Sequence, residues 1–227
     1  MAAVGEERPE KRAVPVRRDA RRNRELLVEA AREAFAAHGL DAPLDDIARR
    51  AGVGNATLYR HFPSRAALVD EVFRGALAHT VAAGEQARAA ADAWQGLTGY
   101  LDVVFAGLAA DRGTNDLMTT GVEGVRSLDA VHAHNRETVD LLIGRAQRQG
   151  SVRPDIAVED LLLALAALGR AVPALAATAP DGWRRPLALF LDGLRATAPA
   201  APLPGPALTA EELGSVLRDL GPHRGKS

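Results

Sequence analysis

The amino-acid sequence predicts an all-α protein, with a three-helix head followed by a larger helical body. Apolar residues recur at steps of three and four along most of the chain, which is the period of a helix packed on one side. No segment shows the apolar–polar alternation of a half-buried strand. The 227 residues are 47% hydrophobic but only 4% aromatic, which favours a core of aliphatic side chains on helices.

The N-terminal leader, residues 1–18, is expected to be disordered, because it lacks periodicity and contains Pro9 and Pro15. Residues 8–24 carry eight basic and two acidic side chains, a local net charge of +6 on a chain whose formal net charge is −1. Such a concentration of positive charge favours contact with a polyanion at this end of the protein. The alternative, that the first dozen residues are only a solvated leader, stays open.

The next segments predict three helices. A core-facing stripe runs along the first, residues 21–38, and Gly39 is expected to end it. Pro43 opens the second helix, residues 44–51, where the missing N–H of proline costs little. Gly52 permits the positive φ of a tight turn, and a short third helix follows. Two helices joined by such a turn form a helix-turn-helix, the motif that places its second helix in the DNA major groove.

The side chains of this motif divide into a buried and an exposed set. The expected core positions are Leu44, Ile47, Ala48, Val53 and Leu58. The expected DNA-contacting residues lie on the third helix and on its flanks: Arg21, Asn55, Ala56, Thr57, Tyr59, Arg60, His61 and Arg65. Asn55 stands at the helix start, where side chains reach base edges, whereas hydroxyl and imidazole groups suit phosphate oxygens. Tyr59 as a core aromatic and His61 as a surface residue remain open alternatives.

The rest of the chain predicts further helices with short breaks. Ser64 is a good N-cap for a long helix over residues 65–88. Five more helices are expected over residues 93–110, 114–123, 128–149, 158–178 and 183–196. In the Pro/Ala-rich tail, residues 198–227, a capping box from Thr209 to Glu212 predicts a short helix over residues 210–220. The chain thus divides into the leader, a DNA-binding domain at 19–75, a helical body at 76–197 and the tail.

Residues 21–74 resemble the DNA-binding domain of TetR-type (TetR/AcrR) transcriptional regulators. The resemblance is carried by AAREAFAAHG at 30–39, DIARRAGV at 46–53, TLYRHF at 57–62 and RAAL at 65–68. It implies a regulator of transcription, most often a repressor, that is released from a double-stranded DNA operator by a small-molecule inducer. It also implies a homodimer formed through the last two long helices, 158–178 and 183–196, so that the operator is expected to be a palindrome.

The sequence departs from the pattern of this family at two places. Members often have threonine near Ala42 and Pro43 to cap the second helix, and here Asp41 or Pro43 must take that position. Members often begin the recognition helix with serine or threonine, and here Gly54 and the following asparagine stand there. Base recognition is therefore expected to depend more on the polar side chains of the third helix.

The resemblance also implies an inducer pocket between the body helices. The candidate lining residues are the large side chains of the body: Trp94, Tyr100, Phe105, Met118, His132 and Trp183. The ordinary interpretation of each is a core residue, because a helical body needs large side chains somewhere, and that alternative stays open. So few aromatics favour an apolar ligand. No metal or cofactor is expected, because the chain lacks cysteine, and His132 and His134 are two apart and point to different sides of a helix. Asp129 with His132 is interpreted as a surface contact.

Other classes of function find little support in the sequence. There is no nucleophile elbow, phosphate loop, metal-ligand cluster or pair of catalytic carboxylates, so an enzyme is not expected. Neither a signal peptide nor a membrane-spanning segment is expected, which favours a cytoplasmic protein without membrane contact. One alternative stays open: a helix-turn-helix protein that acts through protein or nucleoid contacts without a ligand.

Overall fold

The computed structural model describes residues 13–120, 124–197 and 201–219, and within these ranges it contains ten α-helices and no strand. The all-α prediction is confirmed. The helices are α1 (Ala13–His38), α2 (Leu44–Arg50), α3 (Asn55–His61), α4 (Arg65–Ala89), α5 (Ala93–Ala110), α6 (Arg112–Thr120), α7 (Arg126–Arg148), α8 (Val158–Thr178), α9 (Arg184–Gly193) and α10 (Ala210–Asp219).

Helix α1 begins earlier than the sequence predicts, at Ala13 rather than near residue 21. Pro15 does not prevent this, because proline is tolerated in the first turn of a helix, where its missing N–H has no intrahelical partner. The expectation of a disordered leader is therefore wrong from residue 13 onward. Residues 1–12 lie outside the described residues.

The three-helix head is held together by a core that extends into the body. Leu27 and Phe35 of α1, Ile47 of α2 and Leu58 of α3 are all almost fully buried in this core. Residues of α4, α6 and α7 join the same cluster, which includes Leu68, Phe73, Leu117, Leu128 and Val131. The head and the body are therefore packed against each other along a shared apolar surface.

Backbone conformation at the helix ends agrees with the sequence. Gly39 (φ +77°) and Gly52 (φ +69°) occupy the left-handed region that favours glycine. The hydroxyl oxygen of Ser64 accepts a hydrogen bond from the Ala67 N–H at 3.2 Å, which confirms the predicted N-cap of α4. Helix α2 begins after Pro43 and α3 after Gly54, and neither helix has a side-chain cap.

The body is built around α4, which packs against both α5 and α7. The guanidinium of Arg145 on α7 donates to the carbonyls of Arg88 and Ala90, at 2.6 and 2.5 Å, where α4 ends. A second core lies between α5, α7, α8 and α9 and includes Trp94, Phe105, Leu142, Leu161 and Trp183. Helix α9 ends at Gly193, before the predicted position, because the chain turns there into an antiparallel bridge between Val152 and Arg195.

Helix α8 is long and apolar enough to cross a membrane by length and composition alone, so the expectation that no segment reaches this length is wrong. An 18-residue window of its 21 residues has a mean hydropathy of 1.8, and only 17% of that window is buried in the monomer. Ala167, Ala171 and Ala174 are exposed along it. A helix of this composition therefore leaves much of its apolar surface uncovered by the rest of the chain.

The tail returns to the body and ends in α10. The guanidinium of Arg153 donates to the Ala201 carbonyl at 2.6 Å, and the Asp155 carboxylate accepts from the Leu203 N–H at 3.1 Å. Hydrogen bonds from the Arg153 side chain and then from the Leu203 backbone lower the pKa of Asp155 to about 2. The predicted capping box is present, because Thr209 and Glu212 exchange hydrogen bonds at 2.8 to 3.2 Å. The predicted last residue of this helix, Leu220, lies outside the described residues.

Candidate DNA-binding surface and body cavity

Helix α3 turns one side into the head and the other to solvent. Leu58 faces the core, and Phe62, directly after the helix, is also buried. Most of the predicted DNA-contacting side chains of α3 lie on the outer side or at its margin: Asn55, Ala56, Tyr59 and Arg60 are exposed, and Thr57 and His61 are half-buried. Tyr59 is 50% exposed, which excludes its alternative interpretation as a core aromatic.

Asn55 is held by a neighbour within the motif. Its side-chain N–H donates to the Asp45 carboxylate at 2.7 Å, from the first turn of α3 to the first turn of α2. This contact fixes the orientation of the amide that the sequence suggests for base recognition. Asn55 can contact a base edge while this hydrogen bond is kept, because a side-chain amide has a second N–H donor and a carbonyl oxygen that accepts.

Arg65 is placed differently from the other predicted DNA-contacting residues. Its guanidinium donates to the carbonyls of Leu40 and Ala42, at 2.6 and 2.7 Å, in the connection between α1 and α2. The side chain therefore ties the start of α4 to the entrance of the helix-turn-helix. Contact of Arg65 with phosphate stays a prediction, and its observed contacts are structural.

Replacing Arg65 by methionine should destabilise the head by about 1–3 kcal/mol, because two carbonyls in a partly buried connection lose a charged donor. DNA affinity should fall with stability, and low temperature should restore part of it. Urea unfolding followed by circular dichroism measures the first effect, and a gel-shift assay at two temperatures measures the second. A full loss of DNA binding with unchanged stability would instead assign Arg65 to phosphate binding.

Arg24 is a contact of the head that sequence reasoning missed. Its guanidinium lies 4.5 Å from the centre of the Phe62 ring, and it donates to the Glu71 carboxylate at 2.6 Å and to the His61 carbonyl at 3.4 Å. It thereby joins α1, the end of α3 and α4. Arg21, one turn earlier, is exposed, and its guanidinium lies 3.6 Å from the Glu25 carboxylate. An ion pair on the surface is weak, so the cationic group of Arg21 remains accessible to a phosphate.

A cavity of about 570 Å³ lies between α5, α6, α7, α8 and α10. Four of the six predicted ligand-binding residues line it: Tyr100, Phe105, Met118 and His132. Trp94 and Trp183 do not, which corrects their assignment as lining residues. The guanidinium of Arg195 lies over the Trp94 ring at 4.9 Å, and Trp183 packs against Phe105 with ring centroids 6.0 Å apart, so both tryptophans belong to the core of the body.

Two polar groups that line the cavity, those of Tyr100 and His132, have hydrogen bonds within the chain. The Tyr100 hydroxyl donates to the Asn135 side-chain oxygen, and burial raises the pKa of Tyr100 above its ordinary value. Desolvation by the neighbouring side chains lowers the pKa of His132, whose ring also has a hydrogen bond with the Met118 backbone. Both groups are therefore uncharged at neutral pH. The remaining polar lining residues, which sequence reasoning did not single out, are Thr119, Asn135, Arg136, Arg170 and Arg218.

Helix α6 contacts the cavity on one side and the head on the other. Met118 lines the cavity, and the buried Asn115 side chain donates to the Gly169 carbonyl of α8 at 2.8 Å. Gly113 lies so close to the head that a Cβ atom there would be 2.7 Å from the Phe73 ring and 3.1 Å from Phe35 Cβ. A displacement of α6 by a molecule in the cavity would therefore act directly on α1 and α4.

No group of three or more histidine, aspartate or glutamate side chains that could hold a metal ion occurs in the part of the chain that the structure describes. His132 lines the cavity, whereas His134 lies 3.6 Å from Glu85 between α4 and α7. The two histidines thus point to different places, as their spacing predicts. Asp129 and His132 interact electrostatically, and both side chains are exposed, which agrees with the surface contact that was expected.

The three-helix head and its exposed recognition helix define a helix-turn-helix DNA-binding protein. The sequence model "Bacterial regulatory proteins, tetR family" matches residues 27–72, and the model "Transcriptional regulator SbtR-like, C-terminal domain" matches residues 92–196. The chain therefore belongs to the TetR family of transcriptional regulators, whose members are transcription factors rather than enzymes.

Solved structures agree with this family membership. A TetR transcription regulatory protein from Mycobacterium vanbaalenii is 34% identical, with 80% of this chain and 99% of that chain covered and a TM-score of 0.47. The TetR transcriptional regulator SCO0520 from Streptomyces coelicolor is 30% identical, with 77% and 99% covered and a TM-score of 0.49. A TetR family regulator from Agrobacterium tumefaciens shares the fold at 19% identity, with 78% and 99% covered and a TM-score of 0.58. A comparison with curated protein sequences finds no match.

Proposed function

We propose that this protein is a homodimeric repressor that binds a palindromic operator and is released from it when a small molecule occupies the body cavity. The observation that carries the proposal is the position of α6, which lines the cavity with Met118 and packs against α1 and α4 through Gly113. A ligand that fits the cavity better when α6 is displaced would shift the population toward a head geometry that no longer fits DNA. Such a protein acts in the cytoplasm, where its operator is.

A dimer is supported by the apolar surface that the monomer leaves uncovered on its last long helices. Ala167, Ala171 and Ala174 of α8 are exposed, and so is Leu189 of α9, at 65%. We refer to these four residues as the α8–α9 face. Monomeric proteins seldom leave such surfaces in water, and a second copy of the chain would cover them by two-fold symmetry. Two heads related in this way would bind two half-sites, which is why the operator is expected to be a palindrome.

Selection of bound sequences from a pool of random double-stranded DNA tests the DNA-binding part of the proposal. The full-length protein should enrich one palindromic sequence, and its affinity should fall steeply with salt, because many contacts are made to phosphate. Mapping the enriched sequence to the genome would give the regulated genes. Uniform affinity for unrelated DNA would contradict the proposal and favour a helix-turn-helix protein that acts through protein or nucleoid contacts.

Arg60→Ala should weaken binding to the selected operator by about tenfold, since a guanidinium to base or phosphate contributes about 1–3 kcal/mol. Arg60 is exposed on α3 and has no ion pair or hydrogen bond with another described residue, so the fold should be unaffected. A gel-shift titration measures the effect. Arg148→Ala, which removes an exposed arginine from α7 of the body, is the matched control and should bind as the unaltered protein does.

A further inference from the structure

We propose that the ligand of the body cavity is an amphipathic anion, with an apolar skeleton and one acidic group that is bound by Arg170 and Arg218. The inference rests on the proposed function and adds to it the chemical class of the ligand. It also makes α10, the helix of the C-terminal tail, a part of the ligand site.

The walls of the cavity require a mainly apolar ligand. Its volume of about 570 Å³ lies in the range of sites that enclose small organic molecules. Most of its lining side chains are aliphatic or aromatic, among them Leu101, Phe105 and Leu108 of α5, Leu162 and Leu165 of α8, and Leu213 of α10. A hydrophilic ligand would leave its polar groups without partners against these walls.

The charged side chains of the cavity are all cationic. Three arginines line it, and its lining residues include no aspartate or glutamate. The charge of Arg136 is compensated, because its guanidinium forms an ion pair with Glu159 of α8. Arg170 and Arg218 have neither an ion pair nor a hydrogen bond with any other residue that the structure describes. Two positive charges therefore border an apolar cavity without a counter-charge from the described chain.

Arg218 reaches this position because the tail is fastened to the body. Leu213 of α10 is almost fully buried. Arg153 and Asp155 form hydrogen bonds with the segment that leads to this helix. Gly214 and Arg218 are one turn apart and both line the cavity, and a Cβ atom on Gly214 would lie 3.5 Å from Arg218 Nη1. The guanidinium thus lies along the side of α10 that faces the cavity.

An acidic group satisfies this arrangement better than a neutral or cationic one. Guanidinium and carboxylate form short, charge-assisted hydrogen bonds, often two at once. A neutral ligand would cover the two arginines without replacing the water they lose. A cationic ligand would be repelled by both, and the repulsion is stronger beside an apolar wall than in water.

Calorimetric titration of the full-length protein with matched probes tests the inference. Decanoate and decanamide share one skeleton, 2-naphthoate and 2-naphthamide share another, and decylamine supplies the opposite charge. At least one acid should bind about tenfold more tightly than its amide, since hydrogen bonds to charged groups contribute about 1.5–3 kcal/mol. Decylamine should not bind. Equal affinity of each acid and its amide, tighter binding of the amine, or no binding of either acid would overturn the inference.

Substitutions of the two arginines locate the acidic group. Arg170→Met and Arg218→Met should each weaken binding of the acid about tenfold and leave the affinity for the amide unchanged. Arg218 is exposed on a short surface helix, so this variant should fold even if the other does not. Arg148→Met, outside the cavity, is the control. Acid binding that is unchanged in both variants would overturn the inference.

The outcome is separable from that of the proposed function, because DNA binding is measured on the same proteins. If amides enter the cavity and release the selected operator as well as acids do, the proposed function stands and the ligand class is wrong. If no selective DNA binding occurs, the proposed function fails, whatever the titrations show. Both arginine variants should bind the operator normally in the absence of any probe.

Discussion

Replacing Leu189 by aspartate is expected to convert the protein to a monomer and to lower its affinity for the two-half-site operator by about a hundredfold or more. Leu189 is 65% exposed in the monomer, so a charge there should not disturb the fold of one chain. In a symmetric dimer the new carboxylates would be buried with the α8–α9 face, without a partner. Each head would then bind DNA alone, without the gain in affinity from the linked second head.

Sedimentation velocity measures the change in mass, and a gel-shift titration measures the change in affinity. The matched control is Leu141→Asp, which places the same charge on an exposed leucine of α7. This control should remain a dimer with normal affinity. A dimeric Leu189→Asp protein that binds the operator normally would contradict the proposed α8–α9 interface.

Phe35→Ala is expected to lower the free energy of unfolding by about 3–5 kcal/mol, which is a large part of the stability of an ordinary domain. Phe35 is fully buried and stacks on Phe73 with ring centroids 6.0 Å apart, and Gly113 of α6 approaches it closely. Its ring therefore fills the junction of α1, α4 and α6. Removing the ring leaves a cavity between the head and the body that these helices cannot close without moving.

Urea unfolding followed by circular dichroism gives the loss of stability. Leu26→Ala serves as control, because Leu26 lies on the same helix but is 42% exposed, and its truncation should change stability by at most about 0.5 kcal/mol. Equal effects of the two substitutions would contradict the assignment of Phe35 to a shared core. At a temperature where Phe35→Ala remains folded, release of the operator by a bound acid should also be weaker than in the unaltered protein.

Local sequence signals predicted the fold well. The apolar period, the positions of proline and glycine, and the capping residues Ser64 and Thr209 depend on neighbours within a few residues. They therefore located most of the helix ends to within a few positions, the start of α1 excepted. The early start of α1 was missed because residues 1–18 lack apolar periodicity and contain two prolines, although the first turn of a helix tolerates Pro15. The apolar length of α8 was missed because its leucines also fit a core-facing stripe, and an apolar surface that the monomer leaves uncovered has no periodic signal of its own.

The candidate sites were predicted in part. The exposed side of α3 follows from helical geometry, and so does the burial of Leu58. The contacts of Arg65 with Leu40 and Ala42, 25 and 23 residues away, depend on how α4 packs on the head, and nothing local predicts them. The same holds for the cavity. Large side chains were the only signal available. They led to Tyr100 and His132, which line the cavity, but they could not indicate that both tryptophans belong to the core.

The tail supplies one wall of the cavity, and this affects how such proteins can diverge. Helix α10 lies beyond residue 196, where the match to the C-terminal family model ends, yet it supplies Leu213, Leu217 and Arg218 to the cavity. None of these residues belongs to the recognition helix or to the α8–α9 face. Under the proposed function, substitutions in this ten-residue helix would change which inducer is recognised while the operator and the dimer stay the same. Inducer specificity would then evolve separately from the target genes.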